Sequence, residues 1–251
     1  MKIFAFWDNS DQALIRDFHD HWKSSFPNFK IYTDEEVLSL LNNYFPKFVK
    51  YYKYINIPAA KSDIARLLIL YDRGGVYIDC HCGYRRHEDV KEIMIKAAAS
   101  NICLVDNGNR RIFRPPETIM ISNSIIFSKP KKKIVYLLLI MALRNIRTQW
   151  NRQKSGEQLN YNIWKLTGPA LYNSIIFGKL DHIFDNPDFR HMPNLKNWQF
   201  SETDLKDKYS GEISIIREED LPIFRGFFSG YRAPGQHWSE RQKIEPLFSE
   251  I

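Results

Sequence analysis

Cysteine is scarce in this sequence. There are three, Cys80, Cys82 and Cys103, in a chain of 251 residues. A small odd number excludes a disulfide scaffold and fits a reducing compartment, so the expected location is cytoplasmic. The run Cys80-His81-Cys82 lacks the paired spacings of a structural zinc site, which leaves a zinc protein as a rival reading only. Long hydrophobic runs are also missing. The longest, residues 134–143, is shorter than the roughly 20 residues that span a bilayer and predicts a buried helix. Residues 3–7 are apolar but are followed at once by Asp8, so no signal peptide is read there. No internal repeat, low-complexity tract or dividing linker is found, and residues 1–251 read as a single domain.

What is present is positive charge. Lys and Arg number 36 against 29 Asp and Glu, a formal net charge of +7. That balance favours anionic partners: nucleotide diphosphates, acidic membranes or nucleic acid. The charge is clumped at Arg110, Arg111 and Arg114 and again at Lys129, Lys131, Lys132 and Lys133. The second cluster leads into 134–143, which leaves open an interfacial helix on anionic lipid. No recognition motif and no basic–aromatic interleaving supports a nucleic-acid-binding protein. Aromatic residues reach 14% of the chain. They suit sugar and nucleobase rings, and equally a large core.

Hydrophobic periodicity predicts the element order. Residues 3–7 read as a buried strand. Ser10 or Asp11 caps a helix to Ser25 with Leu14, Phe18 and Trp22 on its inner face. After Pro27-Asn28, residues 29–33 read as a second strand, and Thr33 or Asp34 caps the next helix. The chain therefore opens β-α-β-α, the pattern of a parallel sheet covered by helices. Pro58 starts a helix with an apolar stripe of Ala60, Ile64, Leu67, Leu68 and Tyr71. Gly74 and Gly75 stop it, and residues 76–79 follow as a strand. Further strands are expected at 102–105 and within 119–127, and a helix at 134–147. Residues 106–117 read as a basic loop, 149–162 as a polar insertion, and Thr167-Gly168-Pro169 as a turn starting a helix to Phe177. The remaining tail reads as irregular.

Chemistry concentrates between Ala60 and His81. Asp63 and Arg66 lie three apart on the expected helix and share a face, placed here away from the apolar stripe. Alone they would be a surface ion pair. The strand that follows, however, ends at Asp79-Cys80-His81. Ligands of parallel sheets sit beyond the carboxyl ends of strands. Asp79 and His81, two apart on extended chain, point to one side. Carboxylate suits Mg²⁺ and Mn²⁺, and imidazole is acceptable to Mn²⁺. A cation there would neutralise a diphosphate leaving group.

The run Ala60-Lys61-Ser62-Asp63-Ile64-Ala65-Arg66, then Leu70-Tyr71 and Gly74-Gly75-Val76-Tyr77-Ile78-Asp79, resembles the signature of the glycosyltransferases with a sugar-binding Asp-X-Asp motif. That family includes fungal mannosyltransferases, bacterial capsule and lipopolysaccharide transferases, and clostridial glucosylating toxins. Weaker echoes occur at Phe4-Ala5-Phe6-Trp7, Ser122-Asn123-Ser124 with Lys129-Pro130, Thr167-Gly168-Pro169 and Gln236-His237-Trp238. The resemblance implies a GT-A fold: a Rossmann-like, mixed but mainly parallel α/β sheet flanked by helices, with a nucleotide-sugar donor at its carboxyl edge.

The resemblance also implies roles. Trp7 stacks on the nucleobase. Asp63 and Arg66 hold the donor sugar and diphosphate, and Tyr77 lines the nucleotide pocket. Asp79 binds ribose and metal, Asn123 sits near the sugar, and His237 or Trp238 closes over the diphosphate. Asp79 and Asn123 are the expected catalytic residues. The chain departs from the family at His81, where a second aspartate is usual. Mucin-type N-acetylgalactosaminyltransferases resemble this local sequence and use Asp-X-His with a distant histidine. By that analogy Asp79, His81 and His237 form a metal set, with Mn²⁺ favoured over Mg²⁺. The expected activity is retaining transfer of a hexose or N-acetylhexosamine, from a UDP-sugar in preference to GDP-mannose. The expected acceptor is a glycan or lipid-linked chain in surface polysaccharide synthesis, at the cytoplasmic face of an anionic membrane. The rivals are a non-catalytic nucleotide-sugar-binding module and a toxin-like transferase acting on protein.

Overall fold

The computed structural model describes residues 2–8, 11–106, 119, 121–156, 161–177, 212–229 and 237–249. β1 (Ile3–Phe6) opens the chain, and Asp11 caps a short 3-10 helix that runs into α1 (Arg16–Ser25). β2 (Lys30–Tyr32) leads to α2 (Asp34–Tyr44), which starts at a capping box: Glu36 N–H donates to the Thr33 hydroxyl, and the Glu36 carboxylate accepts from Thr33 N–H. α3 (Val49–Lys53), α4 (Pro58–Arg73), β3 (Gly75–Ile78), β4 (Gly83–Tyr84) and α5 (His87–Ala97) follow. Then come β5 (Ile102–Asp106), β6 (Ile121–Ser128), α6 (Lys133–Lys154), α7 (Ile163–Leu166) and α8 (Pro169–Phe177). β7 (Ile213–Arg217), β8 (Ile223–Phe224) and a closing helix Trp238–Ile244 complete the described elements.

Six strands form one sheet in the order β2-β1-β3-β6-β5-β7. β1 is parallel to β2 and β3, and β5 is parallel to β7; β6 is antiparallel to both its neighbours. This is the mixed, mainly parallel sheet of the expected fold class. Alternate residues feed two separate cores. Phe4, Phe6, Tyr77, Leu104 and Ile126 face α2, α3, α4, α6 and α8. Ile3, Ala5, Val76, Ile78 and Val105 face α1 and α5.

α4 matches its expected bounds, but its burial does not match the expected stripe. Residues 63–70 are all buried, because α4 is covered by α2, α6 and the sheet at once. At its end Gly74 adopts φ +60, and a Cβ there would lie 2.5 Å from Pro130 Cδ. Glycine is the residue that fits both demands. Other expectations need correction. Leu14 is 45% exposed and Ile15 takes its place in the core, because the chain is 3-10 at that point and not α. The polar insertion expected at 149–162 is helix to Lys154, since Gln149 and Trp150 turn inward onto α6's packing partners. The tail expected to be irregular contributes β7, a full sheet strand paired with β5. Arg110, Arg111, Arg114 and Gln236 lie outside the described residues.

Candidate functional site

A cavity of about 470 Å³ opens at the carboxyl ends of β1 and β3. Trp7 and Asp8 leave β1 into it, and Asp79, Cys80 and His81 leave β3 into it. Ser62, Asp63 and Arg66 reach it from α4, Asn123 from β6, Gly168 and Pro169 from the turn before α8, and His237 and Trp238 from the closing helix. Of the expected site residues, Tyr77 does not line it. Its side chain is fully buried behind Ser62, with 3.1 Å between the two hydroxyls.

The Asp63–Arg66 pair is not on the surface. Asp63 is 5% exposed and Arg66 4%. The expectation failed because a three-residue spacing tells that two side chains share a face, and not which face tertiary packing covers. Arg66 Nη2 lies 3.2 Å from Asp63 Oδ1 and 3.1 Å from Asp79 Oδ1, so one guanidinium joins helix and strand end. Arg66 also donates to the carbonyls of Ser62 (3.2 Å) and Asn123 and to the Ser62 hydroxyl (3.0 Å). It sits 5.0 Å from the Tyr77 ring centroid. Asp63 accepts from Asn123 Nδ2 at 2.7 Å and from the Thr167 hydroxyl at 2.8 Å. Both its oxygens are therefore engaged within the protein.

These contacts decide the charge states. Burial pushes Asp63 up to about 6, against the pull of Arg66 and the hydrogen bonds from Thr167 and Asn123. Burial works against a charged Arg66, but Asp79 and Asp63 outweigh it, and the guanidinium is held above its usual range. Tyr77 is pushed well up by burial and by Asp79. Tyr172, buried nearby, has a hydroxyl with no hydrogen-bond partner among the described residues. Burial pushes Cys80 and Cys82 well up and Cys103 to about 11. All three are buried free thiols.

The segment after β3 is tied from two sides. Asp79 N–H donates to the Ser124 carbonyl at 2.9 Å. Phe227 and Phe228 N–H groups converge on the His81 carbonyl at 2.9 and 3.3 Å. β4 pairs with β8, and Gly83 packs so closely that a Cβ would lie 2.4 Å from Phe227 Cγ. Trp22 Nε1 donates to the Cys82 carbonyl at 2.8 Å. The His21 ring stacks on Tyr84 and Phe227 and accepts from Tyr84 N–H at 3.2 Å. The backbone carrying His81 is thereby fixed by a strand from the far end of the chain.

Asp79, His81 and His237 all line the cavity. Among the described residues, no group of three His, Cys, Asp or Glu is set to hold a metal ion. Asp79 Oδ1 is engaged by Arg66. His237 Nδ1 is engaged by Ser239, whose N–H it accepts, so this histidine caps the closing helix. The three expected ligands share a cavity without forming a ligand set.

Among the lining residues that sequence reading did not assign to the site are Asp8, Trp164, Arg225 and Arg241. Asp8 was within reach, because it stands at the carboxyl end of β1 as Asp79 does on β3. Burial raises its pKa, with Lys61 pulling the other way. Arg225 comes from β8 and pairs with Glu218, its Nε donating to Oε1 at 2.7 Å. Arg241 comes from the closing helix and pairs with Glu245. Neither carries a local signal.

Residues 8–97 match the model of the glycosyltransferase sugar-binding region containing the DXD motif. The matched stretch holds Asp63, Arg66 and the Asp79-Cys80-His81 end of β3. Among solved structures, the chain is similar to the PaToxG glycosyltransferase, at 17% identity, covering 82% of each chain, with a TM-score of 0.42. It is also similar to the ligand-free glycosyltransferase domain of the YGT toxin, at 12% identity over 58% of this chain and 49% of that one, TM-score 0.37. A third is a glycosyltransferase involved in glycosylation of the major capsid of PBCV-1, at 8% identity over 96% of this chain and 97% of that one, TM-score 0.35. No curated protein matches the sequence. The family-model match supports a glycosyltransferase enzyme.

Proposed function

We propose that this chain moves a hexose or N-acetylhexosamine from a nucleotide sugar, a UDP-sugar in the first instance, to a glycan or lipid-linked acceptor. The observation that carries the reading is Arg66, buried in the cavity and joined to both Asp63 and Asp79 within the matched sugar-binding region. Residues 1–251 act in it as one catalytic domain. Trp7 provides the base platform, where stacking is worth about 1–3 kcal/mol. Arg66 gives the donor's diphosphate a fixed cation without reorganisation. Asp63 positions Arg66 and Asn123, and Asn123 stands at the sugar. Tyr77 acts from behind, by supporting Ser62 and the guanidinium. Trp238 and His237 close the cavity from the opposite wall.

In this reading Asp79 and His81 are the residues that would hold a divalent cation. Imidazole favours Mn²⁺ over Mg²⁺. When bound, the cation would supply charge for the leaving diphosphate. Retention at the anomeric carbon is the stereochemistry we favour. The cytoplasmic face of a membrane and surface polysaccharide synthesis are the setting we favour.

The test is a thermal-shift panel of UDP- and GDP-sugars, with and without Mn²⁺, on wild type and Asp79→Asn. A UDP-specific shift, larger with Mn²⁺ and reduced in Asp79→Asn, is expected. Donor hydrolysis should accompany it. A nucleotide shift without turnover would make the chain a binding module, and a shift unchanged in Asp79→Asn would remove Asp79 from the site.

A further inference from the structure

The two sides of the sheet carry charge differently. On the α1 and α5 side acid and base are mixed, with Asp17, Asp20, Glu88, Asp89 and Glu92 among Arg16, Lys23, Lys91 and Lys96. On the other side the sequence lacks acid over long stretches. Residues 119–156 contain no Asp or Glu but eight Lys and Arg, and residues 37–62 contain none but four Lys. The fold brings these two stretches together, with α6 packed on α3 and α4 and with Phe45 and Tyr71 against Tyr136.

The outward stripe of α6 runs Lys133, Tyr136, Ile140, Arg144 and Arg147, at helical spacing of three and four. Lys133, Arg144 and Arg147 are exposed and make no ion pair among the described residues. Tyr136 is 41% exposed, and Tyr44 beside it 38%. Asp72, next to this face, is covered by Arg73, Lys131 and the Tyr44 hydroxyl. From Lys133 to Arg147 this stripe runs about 21 Å along α6. A cationic strip with half-exposed tyrosines and a partly buried isoleucine has the chemistry of a helix lying on a charged lipid surface.

We propose that the outward face of α6, with the adjoining Tyr44 edge, docks the protein on an anionic bilayer surface. The proposal does not depend on the donor reading, since none of these residues lines the cavity. Nucleic acid is the less apt occupant. Tyr44 and Tyr136 pack on Tyr71 at steep ring angles, and Lys131 covers Tyr44 and Tyr71, so these rings are not laid out as a platform for successive bases. No described helix is long and apolar enough to cross a membrane, so attachment would be peripheral.

The experiment is co-sedimentation of the full chain with phosphatidylcholine vesicles, alone or with about one part in three phosphatidylglycerol. Wild type should pellet with the anionic vesicles at low salt and be released near about 0.5 M salt, where the Debye length falls to a few ångströms. The triple variant Lys133→Gln/Arg144→Gln/Arg147→Gln should bind about 100-fold more weakly, at about fivefold per charge. Its melting temperature and nucleotide-induced shift should stay as in wild type, since the stripe does not touch the cavity. Failure of wild type to pellet, equal pelleting with neutral vesicles, or a triple variant that binds like wild type would overturn the proposal. So would binding of a DNA duplex to this face in place of vesicles. Loss of the nucleotide shift with vesicle binding intact would count against the donor reading alone.

Discussion

Replacing Arg66 by methionine isolates the energetics on which the site rests. The side chain fits the same space but removes a charge that two carboxylates share. Asp63 would remain buried, with Arg66's 3.2 Å contact gone and only the Thr167 and Asn123 hydrogen bonds left. Breaking a buried pair by removing one partner costs about 3–5 kcal/mol. Asp79, 19% exposed in its side chain, recovers part of its loss from water. Against a total stability of about 5–15 kcal/mol, Arg66→Met should lower the midpoint of melting by about 6–20 °C. The assay is thermal melting and urea unfolding, both followed by circular dichroism, at pH 7 and pH 5.

The pH arm fixes the cause. Asp63 already titrates near 6 in the folded protein, above its ordinary 3.8, so its ionised form opposes folding. That opposition is complete above pH 6 and is relieved as pH falls through the window from 6 to 3.8. Without Arg66 the folded pKa rises further, so lowering the pH from 7 to 5 relieves Asp63 more in the variant than in wild type. The deficit of Arg66→Met against wild type should therefore shrink on going from pH 7 to pH 5. Asp63→Asn added to Arg66→Met should recover stability at pH 7, giving a coupling of about 1–3 kcal/mol. A deficit below about 1 kcal/mol, or one that grows at pH 5, would refute the account of Arg66 as the charge that makes Asp63 tolerable.

Two further predictions follow from the packing. Gly83→Ala should cost about 1–3 kcal/mol in unfolding free energy, because its Cβ would meet Phe227 backbone-proximal atoms as well as the ring; nucleotide-sugar binding by calorimetry should weaken with it, since Phe227 holds the His81 carbonyl. Tyr172→Phe removes a buried hydroxyl without a partner and should leave stability unchanged or raise it by about 1 kcal/mol, read as the melting midpoint.

The segment 60–81 shows how far local signals reach. Pro58, the apolar periodicity and Gly74 fixed helix α4 to its residue bounds, because each is a property of a few neighbouring residues. Asp79 and His81 were legible through the rule that strand ends face ligands, and the same rule applied to β1 reaches Asp8. Tyr77 was assigned to the pocket on resemblance, yet strand alternation turns it into the α4 side of the core. β7 escaped because Ile213–Arg217 gains its strand character from β5, more than a hundred residues earlier in the chain. Arg225 and Arg241 escaped with the tail that carries them.

By itself the sequence determined the α/β class and the order of the opening elements, which follow from periodicity, caps and chain stops; the stretch 60–81 stood out through its strand end and its resemblance. Tertiary structure alone decided that Asp63 and Arg66 are buried. Their spacing defines one helix face, but only Asn123 on β6, Thr167 and Asp79, brought from distant stretches, pack on that face and remove it from water. With that burial an ordinary i, i+3 ion pair, worth little in solvent, becomes the charged centre that joins α4 to the end of β3.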